Sequence, residues 1–183
     1  MKTGNTSSPP AGGPTKDEIL AISLFKLGLT PEDTFADLGC GTGRVSIEAS
    51  KQVKALHGVD RREEAYIRTK KEVETQEKEN IFVHRRENKS FLTALTALDT
   101  AFVDGSQGLD TVLESLARLN VRSLVINAVM LETVITVVTA LKKHGMFKEI
   151  ILTNIARSNP IGFGVMFKPL VPVYIISEGR ASC

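Results

Sequence analysis

The sequence predicts a doubly wound α/β fold with a seven-stranded sheet, mostly parallel, carrying one antiparallel strand at the end of the chain. Three observations predict it. Short apolar strands alternate with helix-length segments through most of the chain, which requires a parallel sheet joined by right-handed crossovers. The first strand runs into a glycine loop, DLGCGTG at residues 37–43, where sheets of this kind bind ligands. Two apolar stretches near the C-terminus, 147–154 and 171–177, leave too little chain between them for a proper helix, so they pair antiparallel at one side of the sheet.

Ile19, Ile22, Leu24, Phe25 and Leu27 fit a short helix after the candidate cap Thr15, with Leu29 following Gly28. Thr34 to Asp37 is the first strand, Val45 to Lys51 the helix leaving the glycine loop, and Ala55 to Asp60 the second strand. Residues 61–79 form a charged helix with a thin apolar stripe of Ala65, Ile67 and Val73. Its interleaved signs mark a solvated face rather than a nucleic-acid patch. Ile81 to His84 and Asp99 to Val103 are the next strands. Val112, Leu113, Leu116 and Leu119 supply a helix, and Ser123 to Asn127 the fifth strand. The following MLETVITVVTALKKHG is rich in β-branched residues, yet Val134, Val137, Val138 and Leu141 keep helical spacing and the Lys-Lys-His-Gly ending terminates a helix.

The chain of 183 residues suits one domain, here residues 14–183 behind a flexible leader over 1–13. With 42% apolar and 24% charged residues, the composition is that of a soluble globular protein. A net charge of +2 gives no basic surface for nucleic acid or a membrane, and no apolar run is long enough to span a bilayer. The leader has no apolar core of the secretory kind. Cys40 and Cys183 are poorly placed for a disulfide, and His57, His84 and His144 lack ligand spacing, so no metal is expected. A reducing cytoplasm is the expected location.

The loop chemistry separates three ligands. A nucleoside triphosphate loop needs a lysine and a hydroxyl after its last glycine, where this chain has Arg44-Val45. A dinucleotide loop spaces its glycines G-x-G-x-x-G, whereas Gly39, Gly41 and Gly43 alternate, and Asp37 places negative charge where a pyrophosphate would lie. The same Asp37 suits a ligand bearing a sulfonium and an α-ammonium. Asp60 ends the second strand, where its carboxylate can accept both hydroxyls of a ribose, cap the following helix, or do both. Cys40 reads as a small packed thiol. Together these features resemble the class I S-adenosylmethionine-dependent methyltransferases and their Rossmann-like sheet.

The segments GGPTKDEILAISLFKLGLTPEDTFADLGCGTGRVSIEAS, FVDGSQGLDTVLE and LVINAVMLETV, with a closing PVYIISEG, are similar to a narrower family. They resemble the cobalt-precorrin carbon-15 methyltransferases of cobalamin biosynthesis, which also decarboxylate their substrate. The resemblance covers most of residues 12–179. It implies that Thr15, the loop Gly39, Cys40, Gly41, Thr42 and Gly43, then Asp60 with Arg61, and the loop after the third strand hold the S-adenosylmethionine donor. Where the family usually has Gly-Asp-Ala-Pro, this chain has Arg86-Glu87-Asn88-Lys89; Glu87 keeps the acid, and Asn88 offers adenine its backbone or amide. Where Gly-Gly-Ser-Gly-Gly is common, this chain has Asp104-Gly105-Ser106-Gln107-Gly108. The resemblance further implies a homotetramer with substrate sites near the subunit contacts.

A tetrapyrrole substrate would meet Asp104, Ser106, Asn127 and Glu132. Glu132 serves equally as a helix-dipole partner, and Asn127 as a loop-closing hydrogen-bonder. Arg118, Arg122 and Arg157 are candidate partners for the substrate carboxylates. Two other readings stay open: a tRNA adenine or protein carboxyl methyltransferase, and a donor-binding subunit without catalysis.

Overall fold

A computed structural model describes residues 14–105 and 107–178; the expected leader over 1–13 and Cys183 lie outside them. The first half of the chain forms α1 (Asp17–Leu27), β1 (Thr34–Leu38), α2 (Arg44–Ala49), β2 (Ala55–Asp60), α3 (Glu63–Thr75) and β3 (Ile81–Arg85). The second adds α4 (Asn88–Thr93), β4 (Thr100–Asp104), α5 (Leu109–Leu119), β5 (Ser123–Ala128) and α6 (Leu131–Lys143). It closes with β6 (Phe147–Thr153), β7 (Ala156–Ile161), β8 (Gly164–Pro169) and β9 (Val173–Glu178).

Seven strands form one sheet in the order β3-β2-β1-β4-β5-β9-β6. The strands β1 to β5 pair in parallel, and β9 is antiparallel to both its neighbours. The expected antiparallel pair is therefore present, but the last strand of the chain lies inside the sheet and β6 takes the edge. Side chains alternate across the sheet as strand geometry demands. Phe35, Phe102, Val125 and Ile175 pack on the side of α1 and α2, while Leu38, Val103, Ile126 and Ile176 pack on the side of α4, α5 and α6. The strand order reverses between β1 and β4, which puts their carboxyl ends at the switch point of the sheet, where ligands enter.

The β-branched segment after β5 is a helix, with Val134, Val137 and Leu141 buried. Propensity yields there to a continuous apolar face packed on the sheet. In α3 the expected stripe needs correction. Ala65, Thr69 and Val73 are buried, four residues apart, whereas Ile67 is exposed. Thr69 takes the inward place because its hydroxyl donates to the Gly41 carbonyl at 3.2 Å.

Two elements escaped the sequence reading. Asn88, expected in a loop, opens the short helix α4. Between β6 and β9 the chain makes a separate hairpin, β7 with β8, turning at Gly162-Phe163 with Gly162 at φ 54°. Every residue of both hairpin strands is exposed, so no alternation of apolar and polar residues marks them. Thr15 does not cap α1: Lys16 is the N-cap residue, and no side chain bonds the helix start. Among the described residues no helix is long and apolar enough to cross a membrane.

Candidate functional site

The glycine loop leaves β1 by a turn that brings two backbones together. Gly39 has φ 90°, and a Cβ there would lie 2.2 Å from the Asp104 carbonyl oxygen at the end of β4. Only a glycine lets the two strand ends meet. Gly39 and Cys40 both donate their N–H groups to the Val59 carbonyl, at 2.8 and 3.1 Å, which ties the loop to β2. Gly43 abuts the Thr69 side chain of α3. Gly41 differs: its nearest side chain is the Arg62 guanidinium, 3.8 Å from where a Cβ would sit. Of the three glycines, Gly41 alone leaves room beside it. Thr42 follows it, half-buried.

Asp37 lies within the sheet at 1% exposure. Its Oδ2 accepts the Ser46 hydroxyl of α2 at 2.5 Å, and its buried Oδ1 has no hydrogen-bond partner among the described residues. Burial pushes its pKa up to about 7; the Ser46 bond opposes the shift, and the charges of Asp104 and Asp60 add to it. Cys40 is a packed thiol, as expected. Its sulfur is 3.6 Å from the Thr69 hydroxyl, and burial drives its pKa up, away from nucleophilic use.

Asp60 ends β2 nearly buried, at 4% exposure. Its Oδ2 accepts the Gly41 N–H at 3.1 Å and Arg62 Nη2 at 2.8 Å. Its Oδ1 accepts the Arg62 backbone N–H and Nε, both at 3.0 Å. Burial works against the charged form, but the Arg62 side-chain and backbone bonds outweigh it and hold the carboxyl below its ordinary pKa. Asp60 thus faces the glycine loop and fixes Arg62, the N-cap residue of α3, although no side chain caps that helix directly.

Along the same edge, Asp104 of β4 lies in register with Asn127 of β5. The Thr15 hydroxyl reaches Asp104 Oδ2 at 3.5 Å, joining residues 89 apart in the chain. Much of the Asp104 residue is exposed, yet protein atoms crowd its carboxylate and raise its pKa, while Thr15 and Arg62 pull it down. Asn127 is buried; its Oδ1 accepts the Ser23 hydroxyl of α1 at 3.3 Å, and its Nδ2 has no partner among the described residues. A buried amide donor left over costs stability unless something meets it.

These acids and open groups gather at the carboxyl ends of the strands, on the side of the glycine loop, in the arrangement of a ligand site. A precorrin methyltransferase domain family matches residues 11–178. The chain belongs to the precorrin methyltransferase family. A Methanosarcina acetivorans protein named a probable cobalt-precorrin-6B C(15)-methyltransferase (decarboxylating) is 44% identical, covering 91% of this chain and 93% of the relative. Among solved structures, a precorrin 8w decarboxylase from Methanobacterium thermoautotrophicum superposes with a TM-score of 0.87 at 26% identity, over 92% of this chain and 93% of that one. A precorrin-6y C5,15-methyltransferase from Geobacter metallireducens gives 0.84 at 28% identity, over 91% and 90%.

The remaining expected residues of this precorrin methyltransferase divide. Arg61 and Glu87 pair at 3.6 Å across the β2 and β3 ends, both exposed. Asn88 is half-buried beside them at the start of α4. Glu132 stands exposed in the first turn of α6, where an acid also complements the helix dipole. Ser106 lies outside the described residues. The three arginines offered as candidates for substrate carboxylates each bond protein groups. Arg118 donates to the Leu92 carbonyl at 2.9 Å, and Arg122 bonds Asp33 at 2.5 Å before β5, at the amino ends of the strands. Arg157 of the hairpin forks onto Glu18 at 2.6 and 2.8 Å.

Sequence reasoning missed Arg62 and Ser46. A strand-ending acid followed two residues later by arginine was a signal for the first; a small hydroxyl residue nine positions after Asp37 is too common to mark the second. Among the described residues, no group of three or more His, Cys, Asp or Glu could hold a metal ion.

Proposed function

We propose that the protein uses S-adenosylmethionine to methylate carbon 15 of a precorrin or cobalt-precorrin in cobalamin biosynthesis, releasing the ring acetate carboxyl as carbon dioxide. Membership of the precorrin methyltransferase family across nearly the whole chain carries this reading. The donor also suits the residues present. Asp60 offers a strand-end carboxylate for two ribose hydroxyls, Gly41 leaves room beside it, and Asp37 holds a buried, unpartnered oxygen on the inner side of the loop.

S-adenosylmethionine, when bound, supplies an electrophilic methyl group for in-line displacement. The chain has to hold and orient both partners, and proximity of that kind is a large part of catalysis. Asp60 with the backbone of residues 39–43 anchors the ribose end, and Thr15 closes over Asp104. Arg61, Glu87 and Asn88 border the adenine end. At the substrate side, Asp104 and Asn127 present adjacent strand ends, with Asn127 Nδ2 as a buried donor suited to an acceptor on the macrocycle. Glu132 extends that side. The nucleophile is an electron-rich macrocycle carbon, so the chain needs no strong base to generate it. Shielding the acetate from water favours its loss, because charge leaves the carboxylate as the bond breaks.

A homotetramer with its substrate sites near subunit contacts completes the reading. Its support is the hairpin, where Ile161, Phe163, Val165, Met166 and Phe167 are exposed together. A reducing cytoplasm suits the free Cys40 thiol. Incubation with S-adenosylmethionine and a precorrin-6B-type tetrapyrrole, read by mass spectrometry, should show one methyl gained and one carbon dioxide lost. A tetrapyrrole recovered unaltered would reject the assignment.

A further inference from the structure

We propose that Arg62 sets the affinity for the methyl donor by holding the Asp60 carboxylate until a ribose displaces it, an inference that rests on Asp60 being the ribose acceptor. A carboxylate offers about four acceptor positions. Here the Gly41 N–H, the Arg62 N–H, Arg62 Nε and Arg62 Nη2 fill them. A ribose diol donating to the same carboxylate must therefore displace two of these bonds.

The two backbone donors belong to the turn and to the start of α3, so they cannot leave without remodelling both. The guanidinium can. It ends a flexible side chain that is 53% exposed, while the carboxylate it covers is 4% exposed. It also lies beside Gly41, the one glycine of the loop where a Cβ would meet nothing closer than ordinary contact. The planar fork bonds Nε and Nη2 to separate oxygens, so it blocks both hydroxyl-accepting positions at once. Arg62 thus stabilises the unliganded site and competes with the donor for the same acceptor.

Calorimetric titration with S-adenosylmethionine tests this. Arg62→Ala should bind the donor about two- to fivefold more tightly, the range for a partly exposed ion pair. Arg62→Lys keeps the charge without the fork and should fall between, and Arg62→Gln should move in the same direction as alanine. Adenosine should share the gain, whereas 2′,3′-dideoxyadenosine, with no hydroxyls to give Asp60, should not. Circular dichroism and melting verify that each variant is folded. Unchanged or weaker donor binding in the folded Arg62 variants would overturn the proposal, as would an equal gain for the dideoxy ligand. Asp60→Ala separates the two levels. If it leaves donor binding at the wild-type value, Asp60 is not the ribose acceptor and the underlying site assignment fails. If it weakens binding while the Arg62 variants bring no gain, the Arg62 proposal alone fails.

Discussion

The Asp37 carboxyl accepts the Ser46 hydroxyl at 2.5 Å, and its second oxygen is buried without a partner among the described residues. A carboxyl so placed prefers to keep its proton, which is why its pKa stands at about 7 rather than 3.8. The folded protein therefore holds a proton there that the unfolded chain releases. The stability this contributes is fully present below the unfolded pKa and is lost as pH rises through the folded one. Asp37→Asn should flatten the fall in melting temperature between about pH 4 and pH 7. Parallel melting profiles for wild type and variant would show that Asp37 does not carry the shift.

Gly39→Ala should cost roughly 3 kcal/mol or more of stability, from a positive φ and a collision with the Asp104 carbonyl together. Gly28→Ala is the matched control, because its φ is 54° but nothing lies within 4 Å. It should cost only about 1 kcal/mol. Urea denaturation of both variants compares them, and equal losses would remove the close backbone approach as the cause.

Asp60→Ala should weaken S-adenosylmethionine binding by about tenfold or more, the order expected when hydrogen bonds to a charged group are lost. The calorimetric dissociation constant measures it.

Arg122→Ala should lower stability by about 1–2 kcal/mol, because it uncovers the nearly buried Asp33 carboxylate. Donor and tetrapyrrole affinity should stay at wild-type values, since Arg122 lies at the amino ends of the strands, opposite the site. A loss of tetrapyrrole affinity in the folded variant would return Arg122 to the substrate side.

Phe163→Asp combined with Phe167→Asp should reduce the molar mass seen by light scattering after size exclusion, and leave the circular dichroism spectrum unchanged. Both side chains are exposed in the hairpin, so the fold of one subunit does not depend on them. An unchanged mass would place subunit contacts elsewhere.

How much of this was legible depended on whether the relevant interaction is local. The strands leading to Asp37, Asp60 and Asn127 were readable because their apolar runs are short and bounded. The helix at 131–143 was readable because its valines keep one face despite their β preference. The hairpin at 156–169 was not, since neither of its faces meets a core that would impose a pattern. Thr15 was read as a cap because its neighbours look like a helix start, yet its hydroxyl serves Asp104, far away in sequence.

By itself the sequence determined the alternation of strands and helices, the glycine turn, the two acids that frame it and, through its longer motifs, the family. Those are properties of neighbouring residues and of periodicity, which local sterics and burial impose directly. The tertiary structure decided the rest. It brought Gly39 against the end of a neighbouring strand, raised the pKa of Asp37 inside the sheet, drew Arg118, Arg122 and Arg157 into protein contacts, and set Arg62 across Asp60. Each of these depends on which distant groups share a small volume, since desolvation and hydrogen-bond competition are properties of that volume and not of the residue.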